Sequence, residues 1–77
     1  MEIEKFIQNF ADQFDDMDVE SLTADTNYRD LDGWSSMVAL FVMSMIDDEY
    51  NVQVDTSEMR QTNTIQELFD LVSSKLQ

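Results

Sequence analysis

Residues 35–50 read SSMVALFVMSMIDDEY and predict a helix that begins at the serine pair and ends at Tyr50. Either serine is suited to cap its start by accepting a hydrogen bond from an exposed backbone N–H. From Met37 to Ile46 the stretch is apolar apart from Ser44, whereas a helix in contact with water keeps one polar face. In so short a chain we expect one side of this helix to offer exposed apolar surface to a partner.

The same helix closes with three consecutive acids, Asp47, Asp48 and Glu49. They lie at the negative end of the helix dipole, where carboxylates are mildly unfavourable. Residues that are unfavourable for local structure and bring no benefit to folding often serve a function. These acids are therefore candidates for a binding role.

Apolar residues recur with a helical period on both sides of this stretch. We predict a first helix over residues 2 to about 14 and a last helix over residues 64–76, where Thr64 and Glu67 have capping-box spacing. Residues 51–54 (NVQV) alternate like a short strand, and Asp55 or Thr56 caps a short turn of helix through Met59. The two stripes consist of Ile3, Phe6, Ile7, Phe10 and Phe14, and of Ile65, Leu68, Phe69, Val72 and Leu76.

We therefore predict an all-α fold, a small four-helix bundle with three main helices and a short third helix, as a single domain over residues 1–77. A long loop over residues 15–34 connects the first two helices. We expect five apolar residues to pack this loop against the helices, namely Val19, Leu22, Tyr28, Leu31 and Trp34.

Composition excludes several classes of protein. The 77 residues include 17 Asp and Glu against 4 Lys and Arg, a formal net charge of -13. Such a chain is repelled by nucleic acid and by anionic lipid, and its natural partners are proteins with basic patches. Without Cys and His it has no disulfide, no thiolate metal site and no Ser-His-Asp triad. No signal peptide and no membrane-spanning run is visible, so we expect a cytoplasmic monomer.

Two local patterns are similar to known chemical sites. In the acidic loop, EF-hand registers that start at Asp16 or Asp25 both lack glycine at the sixth position, so we predict solvated charge and no metal site, with weak cation binding as the alternative. Gly33-Trp34-Ser35-Ser36-Met37 is similar to a nucleophile elbow, but the last glycine is missing and no histidine exists to activate a serine. Both absences argue against a serine hydrolase.

A loop that ends in Asp-Gly-Trp is followed by a serine at the start of an apolar helix, and this helix closes with an acidic triplet and Tyr50. This combination of features resembles the acyl carrier proteins. In that family an Asp-Ser-Leu motif starts the second helix, and the step from Ser36 to Tyr50 matches the family's step from the modified serine to an aromatic residue. Residues 64–68 (TIQEL) resemble the family's Thr-Val-x-x-Leu start of the last helix. The chain departs from the motif at Ser35, which replaces Asp, and at Met37, which replaces Leu.

The resemblance implies a carrier that is not an enzyme. A phosphopantetheinyl transferase would move 4′-phosphopantetheine from coenzyme A onto Ser36, with Ser35 as the alternative attachment point. The thiol of this arm would then carry an acyl or aminoacyl group as a thioester between acyl-processing enzymes with basic docking patches. The pathway would be fatty acid, lipid or polyketide biosynthesis or another specialised pathway.

We predict a partner-binding surface on the second helix that consists of Met37, Leu40, Phe41 and Ser44, with Asp47 and Asp48 as its charged edge. Core packing is the alternative for Leu40 and Phe41. Five other residues of this helix are assigned to the core, namely Ala39, Val42, Met43, Ile46 and Tyr50. A second functional class is an acidic helical adaptor or DNA mimic with an unmodified serine, although mimicry needs carboxylates along an elongated face.

Overall fold

The computed structural model describes residues 2–76, and in this range the chain forms four α-helices and two short 3-10 helices, with no β-strand. The α-helices are α1 (Ile3–Ala11), α2 (Ser36–Tyr50), α3 (Thr56–Arg60) and α4 (Ile65–Leu76), and the 3-10 helices are Val19–Ser21 and Tyr28–Asp30. This arrangement confirms the predicted small all-α bundle with a short third helix. The two end residues of the domain predicted over 1–77 lie outside the described range.

The core lies between the apolar stripes of α1, α2 and α4. Phe6 and Phe10 of α1 are fully buried, and the ring of Phe6 meets that of Phe69 edge-on at a centroid distance of 5.5 Å. In the stripe of α4 Phe69 is partly buried and Leu76 is half exposed, while the other three residues are buried. The buried apolar residues are Phe6, Phe10, Ala11, Leu22, Tyr28, Val42, Met45, Ile46, Val52, Val54, Met59, Ile65, Leu68 and Val72.

Helix α1 is shorter than the period of its sequence predicts. It ends at Ala11, and the N–H groups of Gln13 and Phe14 donate to the carbonyls three residues earlier, in a tighter turn. This turn still brings Phe14 to the core, where its ring lies 5.5 Å from that of Phe10. At the other end Glu2 is the extended N-cap residue, so it precedes the first turn in which it was predicted.

The long loop between α1 and α2 is attached to the start of α4 by its backbone. Tyr28 N–H donates to Asn63 O, Ile65 N–H to Thr26 O and Gln66 N–H to Ala24 O, over 2.9–3.1 Å. The Tyr28 side chain is fully buried, and its hydroxyl hydrogen-bonds Thr62 and the carbonyl of Met59. The predicted packing points are confirmed, since Leu22 and Tyr28 are buried and Val19, Leu31 and Trp34 pack against the core.

The connection from α2 to α3 is not a strand. Helix α2 ends where Asn51 takes the left-handed conformation (φ 56°), which Asn tolerates better than most residues. The alternation in residues 51–54 is nevertheless real, because Val52 and Val54 are buried and Gln53 is exposed. Asp55 then caps α3 in a full capping box with Glu58. Short α3 packs against the core through buried Met59.

Candidate functional site: the serine pair at the start of helix α2

The two serines at the start of α2 have different roles. Ser35 is the N-cap residue, and its Oγ accepts a hydrogen bond from Val38 N–H at 3.2 Å. Ser36 is the first residue of the helix and is exposed, and its hydroxyl makes no hydrogen bond within residues 2–76. The arrangement presents one accessible hydroxyl at the positive end of the helix dipole, a position that favours an attached phosphate.

A cavity of about 530 Å³ opens beside the serine pair. It lies between α2, α3 and the end of the long loop, and both serines line it. Its apolar wall includes Trp34, whose ring packs against that of Tyr28 at a centroid distance of 4.9 Å. The remaining lining residues are Arg29, Ala39, Leu40, Met43, Thr56, Met59 and Arg60.

The outer face of α2 is apolar and exposed. The exposed fraction is 64% for Met37, 60% for Leu40 and 48% for Phe41, so the alternative of core packing for Leu40 and Phe41 is wrong. Ser44 is also exposed on this helix. Of the residues assigned to the core, Val42 and Ile46 are buried, while Ala39, Met43 and Tyr50 pack partly buried against it. Met45 is buried as well, which the sequence did not predict because α2 is apolar on almost every side.

Acidic residues surround this apolar face. Asp47 and Asp48 are exposed at the end of α2, as the predicted charged edge requires. On the other flank, Met37 and Phe41 line a groove of about 430 Å³ together with Asp15, Asp16 and Asp32 of the long loop. The sequence does not show that Asp15 and Asp16 lie beside α2, since only the path of the loop brings them there. The exposed apolar surface therefore has carboxylates on both sides.

The described part of the chain has neither a metal cluster nor a membrane-spanning helix. Within residues 2–76 no group of three or more acidic side chains is arranged to hold a metal ion. No helix in that range is both long and apolar enough to cross a membrane. What the region around Ser36 offers is an exposed hydroxyl, an adjoining cavity and an apolar face with an acidic border.

The accessible Ser36 hydroxyl suits a covalent group that is attached through a phosphate, and comparison with known families leads to the same group. Residues 4–72, from the first turn of α1 to the middle of α4, match the family described as the phosphopantetheine attachment site. No individual curated protein and no solved structure gives a significant match to the chain. The match confirms the resemblance to acyl carrier proteins and the predicted cofactor. With its helical bundle and a family match over nearly its whole length, the chain belongs to the acyl carrier family of domains that carry 4′-phosphopantetheine covalently.

Proposed function

We propose that this protein is a carrier without catalytic activity of its own, which holds acyl or aminoacyl groups as thioesters on 4′-phosphopantetheine attached to Ser36. The observation that supports this assignment is the division of roles between the two serines. Ser35 Oγ is engaged as the helix cap, whereas Ser36 Oγ is exposed and has no hydrogen-bond partner in residues 2–76. A modifying enzyme therefore reaches Ser36 without breaking the cap of α2.

Attachment replaces the hydroxyl hydrogen of Ser36 by the phosphate of the arm. The Ser36 Oγ–P bond forms, the pyrophosphate bond of coenzyme A breaks, and the nucleotide half of coenzyme A leaves while the transferase accepts the proton. The product is a phosphodiester with one negative charge next to the first turn of α2. Free backbone N–H groups and the helix dipole favour that charge by about 0.3–1 kcal/mol at an exposed position.

The chain itself has no thiol, since it contains no cysteine. The prosthetic group, when bound, supplies the thiol on which a thioester forms. The part left to the protein is to present Ser36, to hold α2 in place and to be recognised by the enzymes that load and unload the arm. Nothing in this assignment requires a general base on the chain, which has no histidine.

We further propose that partner enzymes dock on the face formed by Met37, Leu40, Phe41 and Ser44, with Asp47 and Asp48 at its charged edge. The proposal is supported by the exposure of these side chains and by the position of the face next to Ser36 on one helix. A basic patch on the partner is attracted at long range, while a modest apolar contact still allows release after each transfer. Methionine at the contact suits several partners because its side chain adapts to different surfaces.

The attachment site is tested by intact mass spectrometry of protein that has been treated with a broad-specificity transferase and coenzyme A. We expect the wild type and Ser35→Ala to gain the mass of one phosphopantetheine and Ser36→Ala to gain none. The opposite result for the two variants would move the attachment site to Ser35. No gain in the wild type with several transferases would contradict the proposal and favour an unmodified acidic adaptor.

A further inference from the structure

The cavity beside Ser36 has a charge that is opposite to that of the rest of the surface. Arg29 and Arg60 line it, and no acidic residue does. Each of three other cavities is lined by two or three acids, namely Asp47, Asp55 and Glu58, then Asp48 and Glu49, then Asp15, Asp16 and Asp32. Two of the four basic residues of a chain with net charge -13 thus line the cavity that adjoins Ser36.

Neither arginine forms an ion pair within the described part of the chain. In residues 2–76 the ion pair formed is Lys75 with Glu58 at 2.7 Å, and no carboxylate lies within 4.0 Å of either guanidinium. Arg29 Nη2 donates to the carbonyl of Met59 at 3.0 Å, which holds the side chain against α3. A guanidinium has five N–H donors, so most of those on Arg29 remain available to a ligand.

The remaining walls of the cavity are mainly apolar. Trp34, Leu40 and Met43 contribute from the loop and α2, and Met59 from α3. The volume of about 530 Å³ is in the range of sites that bind small molecules. Apolar walls with two guanidinium groups match a ligand with a short carbon chain and an anionic end, because guanidinium pairs with carboxylate through two parallel hydrogen bonds.

We propose that this cavity binds the free end of the cargo and selects acyl groups that end in a carboxylate, that is, half-thioesters of short dicarboxylic acids. The inference rests on the proposed function, since the cargo reaches the cavity only from an arm on Ser36. Arg29 and Arg60 bind the terminal carboxylate while the methylene groups contact the apolar wall. An acyl group of equal length without the carboxylate leaves both guanidinium groups without an anionic partner.

The test compares three forms of the protein that are loaded by a transferase and verified by intact mass: the arm alone, the arm with pentanoyl and the arm with glutaryl. Pentanoyl and glutaryl have the same number of carbons and differ by the terminal carboxylate. The readout is the titration of the terminal carboxyl of ¹³C-labelled glutaryl by NMR. We expect it to titrate about 1–3 pH units lower than in glutaryl-pantetheine, as for a carboxylate beside a cation.

The sign of this change distinguishes binding in the cavity from exposure to solvent. A carboxylate outside the cavity is surrounded by a protein of net charge -13, which raises its pKa. Arg60→Gln should therefore reverse the change, and Arg60→Lys should retain most of it. Lys5→Gln is the matched control, because it also removes one positive charge from an exposed side chain but lies on α1, away from the cavity.

Fluorescence of Trp34, the sole tryptophan, gives a second readout because the ring lines the cavity. We expect the fluorescence of Trp34 to differ between the glutaryl form and the pentanoyl form, and we expect Arg60→Gln to remove this difference. An unshifted or raised glutaryl pKa, or equal effects of Arg60→Gln and Lys5→Gln, would overturn the proposal. The proposal would also be overturned if the arm alone, without any acyl group, gave the full Arg60-dependent change in fluorescence, since the arm's phosphate would then be the ligand. Failure to load at Ser36, by contrast, is seen in the mass before any titration and contradicts the proposed function itself.

Discussion

Ser35 and Ser36 are neighbours of the same residue type, and the start of the helix gives them different environments. Acyl carrier proteins have Asp where this chain has Ser35. Asp and Ser are about equally good N-cap residues, since either offers an oxygen to a backbone N–H of the first turn. The hydrogen bond from Val38 N–H to Ser35 Oγ shows that the replacement keeps the cap. The departure from the family motif thus preserves the local structure that presents Ser36.

The two serines should also differ in their contribution to stability. Ser35→Ala removes the cap and should lower the free energy of unfolding by about 1 kcal/mol. Ser36→Ala removes an exposed hydroxyl without a partner in the described chain and should change it by less than about 0.5 kcal/mol. Urea unfolding of the unmodified proteins, followed by circular dichroism, measures both values. Equal losses in the two variants would show that Ser35 is not the cap.

At the scale of the element, α2 has one buried face and one exposed apolar face. Val42, Met45 and Ile46 are buried against the bundle, while Met37, Leu40 and Phe41 are exposed. The helix is positioned by burial of the first face, so the second is available for partners. The short helix α3 and the start of α4 are stabilised differently, by capping boxes that Asp55 forms with Glu58 and Thr64 with Glu67.

The capping glutamates should make stability depend on pH. A hydrogen bond with Lys75 and then one from Asp55 N–H lower the pKa of Glu58 below its ordinary value of 4.5, and the N–H groups of Asn63 and Thr64 lower the pKa of Glu67. Because both pKa values are lower in the folded state, their stabilisation is present above about pH 4.5 and is lost as the pH falls through the lower folded values.

We expect Glu67→Gln to have a lower melting temperature than the wild type at pH 7, with the difference shrinking towards about pH 3. Glu4→Gln is the control, because Glu4 is also an exposed first-turn glutamate but makes no side-chain hydrogen bond within the described range. Thermal unfolding of the three proteins at several pH values gives the comparison. A difference between wild type and Glu67→Gln that does not change with pH would contradict the assigned role of the carboxylate.

For the whole molecule, the distribution of charge separates two surfaces around Ser36. The cavity on one side of α2 has two arginines and no acid, whereas the groove on the other side and the end of the helix are acidic. With a net charge of -13 the molecule carries a field that favours basic partners, and under the proposed function the acidic border of the apolar face would direct them to α2. The two surfaces differ in charge as the two proposed ligands do, a basic enzyme surface and an anionic cargo.

Neutralising the charged edge should slow recognition without harming the fold. The double variant Asp47→Asn with Asp48→Asn should lower kcat/KM for the transferase by roughly 2- to 30-fold at low salt. This range follows if each exposed charge pair with the transferase contributes about 0.2–1 kcal/mol. The loss should shrink at high salt, where charges are screened. Stability should not fall, because both acids lie at the negative end of the helix dipole.

The control for this pair is Glu4→Gln with Asp25→Asn, which removes the same charge from α1 and the long loop. Steady-state kinetics of phosphopantetheine transfer at two salt concentrations supply the data for both double variants. Equal losses of kcat/KM would mean that total charge, and not the edge of α2, determines recognition.

The sequence by itself determined the helices whose apolar residues form one stripe, the capping box of α4 and the resemblance to acyl carrier proteins. These are local properties, because periodicity, caps and motifs depend on residues only a few positions apart. The observed end of α1 differs from the predicted one, because Phe14 continues the helical period of apolar residues while the backbone forms a tighter turn after Ala11. For α2 periodicity was uninformative, since a helix that is apolar nearly all round does not reveal its buried face.

The tertiary structure alone decided which serine caps α2, that Leu40 and Phe41 face outward and Met45 inward, and that Arg29 and Arg60 line one cavity. These features depend on contacts between residues far apart in sequence, such as those of Tyr28 with Thr62 and of Arg29 with Met59. Such contacts form because the long loop and α3 close over the same buried core. The physical reason is that burial and proximity are properties of the packed chain, which no local pattern of residues records.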